Sequence, residues 1–247
     1  MEKSSGASRF EKDTYMRNFK IINFVLSKYF EVSVLNADNI PEVPSLFVAN
    51  HLRFVDTPLI LAAYTNATGK PMRALAQKEY TDGKGIRIKG NLRALGAPIK
   101  RFVDNTHMIP VNRDGHREDF MQLTRDMSDT FQAGESELVH GDGTRAENGM
   151  INKFHTGAVR IGMDNSVPLV PTAIWYEPSE TWHPSKVHIS FGEPIDERAY
   201  NHGLTRVLPK AQRVQRVTNQ IESAIVAMSG LQPSGEFMHD IRARQEK

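Results

Sequence analysis

The sequence predicts an α/β domain, a mixed sheet flanked by helices, with an amphipathic helical segment at its N-terminal end. Three observations point there. Short apolar runs that suit strands alternate with longer stretches whose apolar residues recur at helical spacing. A chain of 247 residues suits one large domain or two small ones, and a single α/β unit of that size can bury about 70% or more of its unfolded surface. The 39% hydrophobic content is enough to fill such a core.

The elements follow in order. Residues 16–35, MRNFKIINFVLSKYFEVSVL, place Phe19, Ile22, Leu26 and Tyr29 or Phe30 on one helical stripe, with Arg17, Lys20 and Lys28 around it. This reads as an amphipathic helix leading into a short strand, fit to pack on the core or to lie in a membrane interface. SLFVAN (45–50) is a buried strand. TPLILAAYTNATG (57–69) is a helix, with Asp56 or Thr57 near the N-cap, Pro58 in the first turn and Gly69 at the stop. MRALAQ (72–77) and HMIPVN (107–112) are strands, and the basic, glycine-punctuated stretch 82–106 is a long loop containing a helix. Residues 116–133 set Phe120, Leu123, Met127 and Phe131 on one helical face before Gly134. ELVH (137–140) is a strand, GDGTRAENG (141–149) a loop by composition, and VPLVPTAIW (167–175) and KVHISF (186–191) are later strands. Last, Val207, Ala211, Val214, Thr218, Ile221, Ile225 and Met228 alternate steps of four and three, predicting a long helix closed by Gly230. The expected division is an amphipathic segment over 1–38, the α/β domain over 39–230 and a loose polar tail over 231–247.

Composition excludes several chemistries. With no cysteine there is no disulfide, thiolate metal site or cysteine nucleophile. No Gly-x-Ser-x-Gly elbow occurs. The histidines other than His51 lack metal-binding spacing, so neither a metal nor a bound cofactor is expected. No signal peptide is visible in the polar first 15 residues, and no apolar run approaches the roughly 18–20 residues that span a bilayer. The expected place is the cytoplasm, peripheral on the inner face of the membrane. Net charge is only +2, but 83–103 and 198–221 carry basic residues and no acid. Such zones suit phosphate-rich partners or are solvated basic faces. Nucleic acid is not expected, because no binding motif or interleaved aromatic accompanies the charge.

The stretch FVANHLRFVDTPLI (47–60) raises the chemical question. His51 and Asp56 are five residues apart, a spacing that separates them on a helix and puts them on opposite faces of a strand. They meet only if the chain turns between them. His51 then ends a strand and Asp56 starts a helix. The aspartate would bind one imidazole nitrogen and fix the tautomer, leaving the other to act as a base.

Other segments give that pair a context. Ile109-Pro110-Val111-Asn112-Arg113 ends a strand, His140-Gly141-Asp142-Gly143-Thr144-Arg145-Ala146 fills a loop, and Val167-Pro168-Leu169-Val170-Pro171 opens a strand. Phe154 and Gly157 lie between the last two, and FGEPI follows at 191–195. In this order they resemble the glycerolipid acyltransferases, the family of glycerol-3-phosphate and 1-acylglycerol-3-phosphate acyltransferases. Its signatures are His-x4-Asp, an Ile-Pro-Val-Asp-Arg-like strand end, Phe-Pro-Glu-Gly-Thr-Arg-Ser, Phe-Lys-x-Gly and Val-Pro-Ile-Val-Pro. The resemblance covers about residues 40–196. The chain departs from it at Asp142, where the family has glutamate, at His155, where lysine is usual, and in a longer 81–105 loop.

The resemblance implies transfer of a fatty acyl group from a thioester of coenzyme A or acyl carrier protein, as co-substrate, to a hydroxyl of a glycerolipid-type acceptor. His51 is then the general base and Asp56 its orienting partner. Arg113 and Arg145 occupy positions that hold the acceptor's phosphate, for which the guanidinium fork is suited; Gly143 and Thr144 let backbone and hydroxyl approach it. Asp142 positions Arg145 or the loop, or is an ordinary turn aspartate. His140 and His155 lie near the site by motif position. A non-catalytic lipid- or carrier-binding module and a thioesterase remain the alternatives.

Overall fold

The computed structural model describes residues 9–77, 106, 108–112, 117–146, 149–178, 185–196 and 207–237. The expected loop helix within 82–106 and the residue Arg113 lie outside the described residues.

The chain opens with helix α1 (Arg9–Leu26) and strand β1 (Phe30–Leu35). It continues through β2 (Leu46–Ala49), α2 (Asp56–Thr68), β3 (Met72–Gln77) and β4 (Ile109–Val111). Helix α3 (Arg117–Gln132), β5 (Ser136–His140) and α4 (Gly157–Asp164) follow, then β6 (Leu169–Tyr176), β7 (Ser185–Phe191) and α5 (Lys210–Ser229). The strands form one sheet in the order β1-β7-β6-β2-β5-β3-β4. Neighbours run parallel except β6 and β7, so the sheet is mixed, as expected.

Helices cover both faces, which explains the uniformly apolar strand β2. Along β2, Phe47 and Ala49 face a core shared with Tyr15 and Phe19 of α1 and Leu59, Ile60 and Tyr64 of α2. Leu46 and Val48 face the other core, with Met127 and Phe131 of α3, Val159 and Ile161 of α4, and Ile221 and Ile225 of α5. Strand side chains alternate between faces, so a strand buried on both sides reads as a near-continuous apolar run. Each such buried side chain contributes roughly 1.5–3 kcal/mol.

Several elements differ from expectation in informative ways. Helix α1 starts at Arg9 rather than near residue 16. Its Tyr15 and Phe19 are buried, whereas Phe24 stays 64% exposed. Helix α5 starts at Lys210, after Pro209, so Val207 lies outside it and is 78% exposed. Helix α4 was not foreseen, because two glycines in eight residues lower its intrinsic propensity. Packing decides instead: a Cβ at Gly162 would lie 2.5 Å from a Leu169 methyl and 2.9 Å from one of Leu46. The stretch beyond α5 is not loose up to residue 237. Ile151 N–H donates to Gln232 O (2.9 Å), Ser234 N–H to Ile151 O (2.8 Å) and Lys153 N–H to Glu236 O (2.9 Å), which straps this polar segment along 151–153.

Candidate active site

The site forms where the chain leaves the sheet between β2 and α2. Asn50 extends the ladder with its side chain: its amide donates to Ile174 O and its carbonyl accepts Ile174 N–H, both at 2.9 Å. Freed of backbone pairing, the chain turns at His51 and enters α2 at Asp56. The turn brings the two side chains together, with His51 Nδ1 3.0 Å from Asp56 Oδ2.

Asp56 is a fully buried carboxylate surrounded by donors. Oδ2 also accepts the backbone N–H of Leu52 (2.6 Å) and Arg53 (2.7 Å), and Oδ1 accepts the Tyr176 hydroxyl (2.5 Å). Burial raises its pKa, but the His51 imidazole, the Tyr176 hydroxyl and the Arg53 amide outweigh burial and hold it below its ordinary value. A carboxylate can only accept, so Nδ1 of His51 carries the proton and Nε2 keeps the lone pair. The His51 side chain is 16% exposed, enough to reach solvent. Tyr176 is pushed well above the normal phenol range by burial and by the Asp56 charge, so it stays a donor. The Arg53 guanidinium lies 3.8 Å over its ring.

The loop after β5 closes on the same histidine from the other side. Asp142, buried, accepts the His51 backbone N–H at 3.0 Å, and Ala146 N–H donates to His51 O at 2.8 Å. Asp142 therefore ties the third motif to the first. His140 lies against His51, ring centroids 4.0 Å apart and 15° from parallel. Gly143 takes a left-handed φ of +64°. A β-carbon there would meet the His155 ring at 3.3 Å. Gly141 sits directly on Phe154, where any β-carbon would clash at 2.2 Å. Arg145 is exposed, its guanidinium 5.9 Å from the Phe54 ring in the His51–Asp56 turn. The strap reaches this loop through His155, which stacks on Phe237 at 4.8 Å and donates its backbone N–H to Gly141 O at 2.8 Å.

The structure thus brings together His51, Asp56, Asp142 and the Gly143–Arg145 loop. Sequence reasoning missed Tyr176, Asn50 and Arg53. Tyr176 stands one residue past the apolar run 167–175, and only its aromatic position at a strand end hinted at a role. Among the described residues no group of three or more histidines, aspartates or glutamates is placed to hold a metal ion.

Comparisons with known proteins bear on the family and the fold. The sequence model described as Acyltransferase matches residues 31–175, more than half of the chain. A protein of Mycoplasma pneumoniae named "Probable 1-acyl-sn-glycerol-3-phosphate acyltransferase" is 24% identical over 152 residues, 61% of this chain. The match takes in 52% of that protein, so this chain spans about half the length of its relative. The crystal structure of the 1-acyl-sn-glycerophosphate (LPA) acyltransferase PlsC from Thermotoga maritima superposes with a TM-score of 0.53 at 20% identity, covering 85% of this chain and 78% of that one. That likeness shows a shared mixed α/β fold. On the extent of the family match, the chain belongs to the acyltransferase family.

Proposed function

We propose that this protein transfers a fatty acyl group from an acyl thioester, of coenzyme A or acyl carrier protein, to the free hydroxyl of a 1-acylglycerol-3-phosphate-type acceptor. The observation that carries the proposal is the His51–Asp56 pair: a buried, fully partnered carboxylate fixes Nδ1–H and leaves Nε2 as a lone pair on a partly exposed ring. An alcohol is a poor nucleophile at neutral pH and needs a base as it attacks, help worth 10²–10⁴-fold in typical cases. Nε2 takes the acceptor's hydroxyl proton while its oxygen forms a bond to the acyl carbon. The C–S bond then breaks, and the leaving thiolate takes the proton back from the imidazolium. A thiol, with a pKa of about 8.5, is already a fair leaving group, so no enzyme nucleophile is required.

Arg113 and Arg145 hold the acceptor's phosphate in this proposal, with Gly143 and Thr144 beside it. The protein works from the cytoplasmic face of a membrane without crossing it. No helix among the described residues is long and apolar enough to span one. The contact surface is the exposed side of α1 and the turn after it, where Phe24, Val25 and Tyr29 stand beside Arg17, Lys20 and Lys28. Apolar groups among cations suit an anionic interface.

The direct test incubates purified protein with labelled acyl-coenzyme A or acyl carrier protein and a panel of phosphate and non-phosphate acceptors. Labelled diacylglycerol phosphate is the expected product. Free fatty acid released without acceptor identifies a thioesterase instead, and no turnover with any donor identifies a binding module. Flotation with anionic liposomes at low salt tests the surface; protein left at the bottom removes that part of the proposal.

A further inference from the structure

Directly against the His51 imidazole lies a second imidazole that the reaction above does not use. His140 ends β5, and each of its ring nitrogens has a partner in the segment around His51. Nδ1 is 2.9 Å from the carbonyl oxygen of Asn50, the residue before His51. Nε2 is 2.9 Å from the hydroxyl of Thr57, the residue after Asp56. A carbonyl only accepts, so Nδ1 carries the proton, and Nε2 accepts from Thr57. The ring cannot rotate without breaking one of these bonds. It spans the two ends of the turn and presents its face to His51 at 4.0 Å.

We propose that His140 is a positioning residue for the general base: pinned at both ends of the turn, its ring is the surface on which the His51 imidazole is held with Nε2 outward. This rests on the assignment of His51 as the base. Asp56 fixes one nitrogen of His51 but leaves the ring free to rock about that single bond, and the stack removes this freedom. The supporting ring must also be neutral. A cation 4 Å from an imidazole that has to accept a proton would oppose the imidazolium. His140 meets that requirement, since burial and the neighbouring His51 push it down to about 3. The stack is the contact that reaches His51, and the two hydrogen bonds seat the His140 ring for it.

Three variants separate stacking from hydrogen bonding in the labelled transfer assay, with thermal melts as a check on folding. His140→Ala removes both. It should lower kcat by about 10–100-fold, the scale expected when a reacting group is misplaced by about 1 Å, with KM for donor and acceptor within about twofold. His140→Phe keeps the ring and should restore kcat to within about threefold of the parent. His140→Gln can bond but cannot stack and should stay as slow as alanine. A parent-like kcat in His140→Ala overturns the proposal. So does a glutamine variant that outperforms phenylalanine, the comparison that decides if the alanine variant does not fold. If the parent protein transfers no acyl group, the assignment of His51 falls and His140 with it. If the parent is active, His51→Ala is dead and His140→Ala is normal, only His140 falls.

Discussion

The turn carrying His51 and Asp56 and the loop carrying Gly143 to Arg145 meet at one residue yet are built in opposite ways. The first is locked from every side. Asp56 is fully buried with donors from its own turn and from β6, and His51 is held at Nδ1, at its backbone N–H and at its carbonyl. The second is open. Arg145 is exposed, and the loop below it leans on Phe154, His155 and, through them, the strap at 231–237. Proton transfer tolerates little misplacement, whereas attraction between charges decays slowly with distance. Under the proposed function the rigid half serves the proton and the open, compliant half serves the anion, a division that physics favours.

The hardest blow to this contrast falls on the rigid half. His51→Ala should reduce turnover by about 10²–10⁴-fold with the fold retained, while the loss of its hydrogen bond to buried Asp56 lowers the melting temperature by several degrees. Near-normal turnover would remove the base and with it the reason for the rigidity. Next is Tyr176→Phe, which deletes one charge-assisted hydrogen bond to Asp56, worth about 1.5–3 kcal/mol. The expected result is a roughly tenfold fall in kcat with acceptor KM unchanged. A KM effect alone would mean that Tyr176 touches substrate instead of positioning Asp56.

The compliant half should answer in KM. Arg145→Lys keeps the charge but loses the bidentate fork, so acceptor KM should rise by about tenfold with kcat preserved. A fall in kcat alone would mean that this loop also positions reacting atoms. Smaller still is Phe237→Ala in the strap. It removes the stack on His155 and the Lys153 contact at 5.0 Å. A rise in acceptor KM of about two- to fivefold is expected from a loosened loop. If kcat falls instead, the strap supports the base and the two halves are not separate.

How much of this could be read in advance depends on the range of each signal. The His51–Asp56 pair was legible because its strand, turn and helix markers all lie within 14 residues of sequence. Strands β2 and β6 were legible because burial on two faces leaves a near-continuous apolar run. Partners from afar were not: Tyr176 reaches Asp56 across 120 residues and Asn50 reaches Ile174 across 124, and no local pattern encodes either. The strap was hidden for a different reason. Backbone hydrogen bonds hold it, and these leave no mark on side-chain composition. Helix α4 was hidden by its own glycines, whose value lies in the close approach of Leu46 and Leu169.

The least disruptive test leaves both halves alone and probes β5, the strand that ends in His140. Glu137, buried near its other end, is pushed up to about 8 by burial, against the opposing pull of the Thr130 hydroxyl and the Arg73 charge; Glu135 and Asp126 add to the rise. The folded protein therefore holds this proton through a range in which the unfolded chain, with an ordinary value of 4.5, has released it. Stability from this group is fully present below pH 4.5 and is lost as pH rises toward 8. The slope is about 1.4 kcal/mol per pH unit, and the total is on the order of several kcal/mol. Glu137→Gln mimics the protonated acid and does not titrate. Its melting temperature should match the parent at pH 4.5 and exceed it by several degrees at pH 8, with kcat and KM unchanged at neutral pH. Parallel melting curves would show that the carboxyl is ionised in the fold. A changed kcat would show that strain at one end of β5 reaches His140 at the other, and the rigid half would then extend along the whole strand.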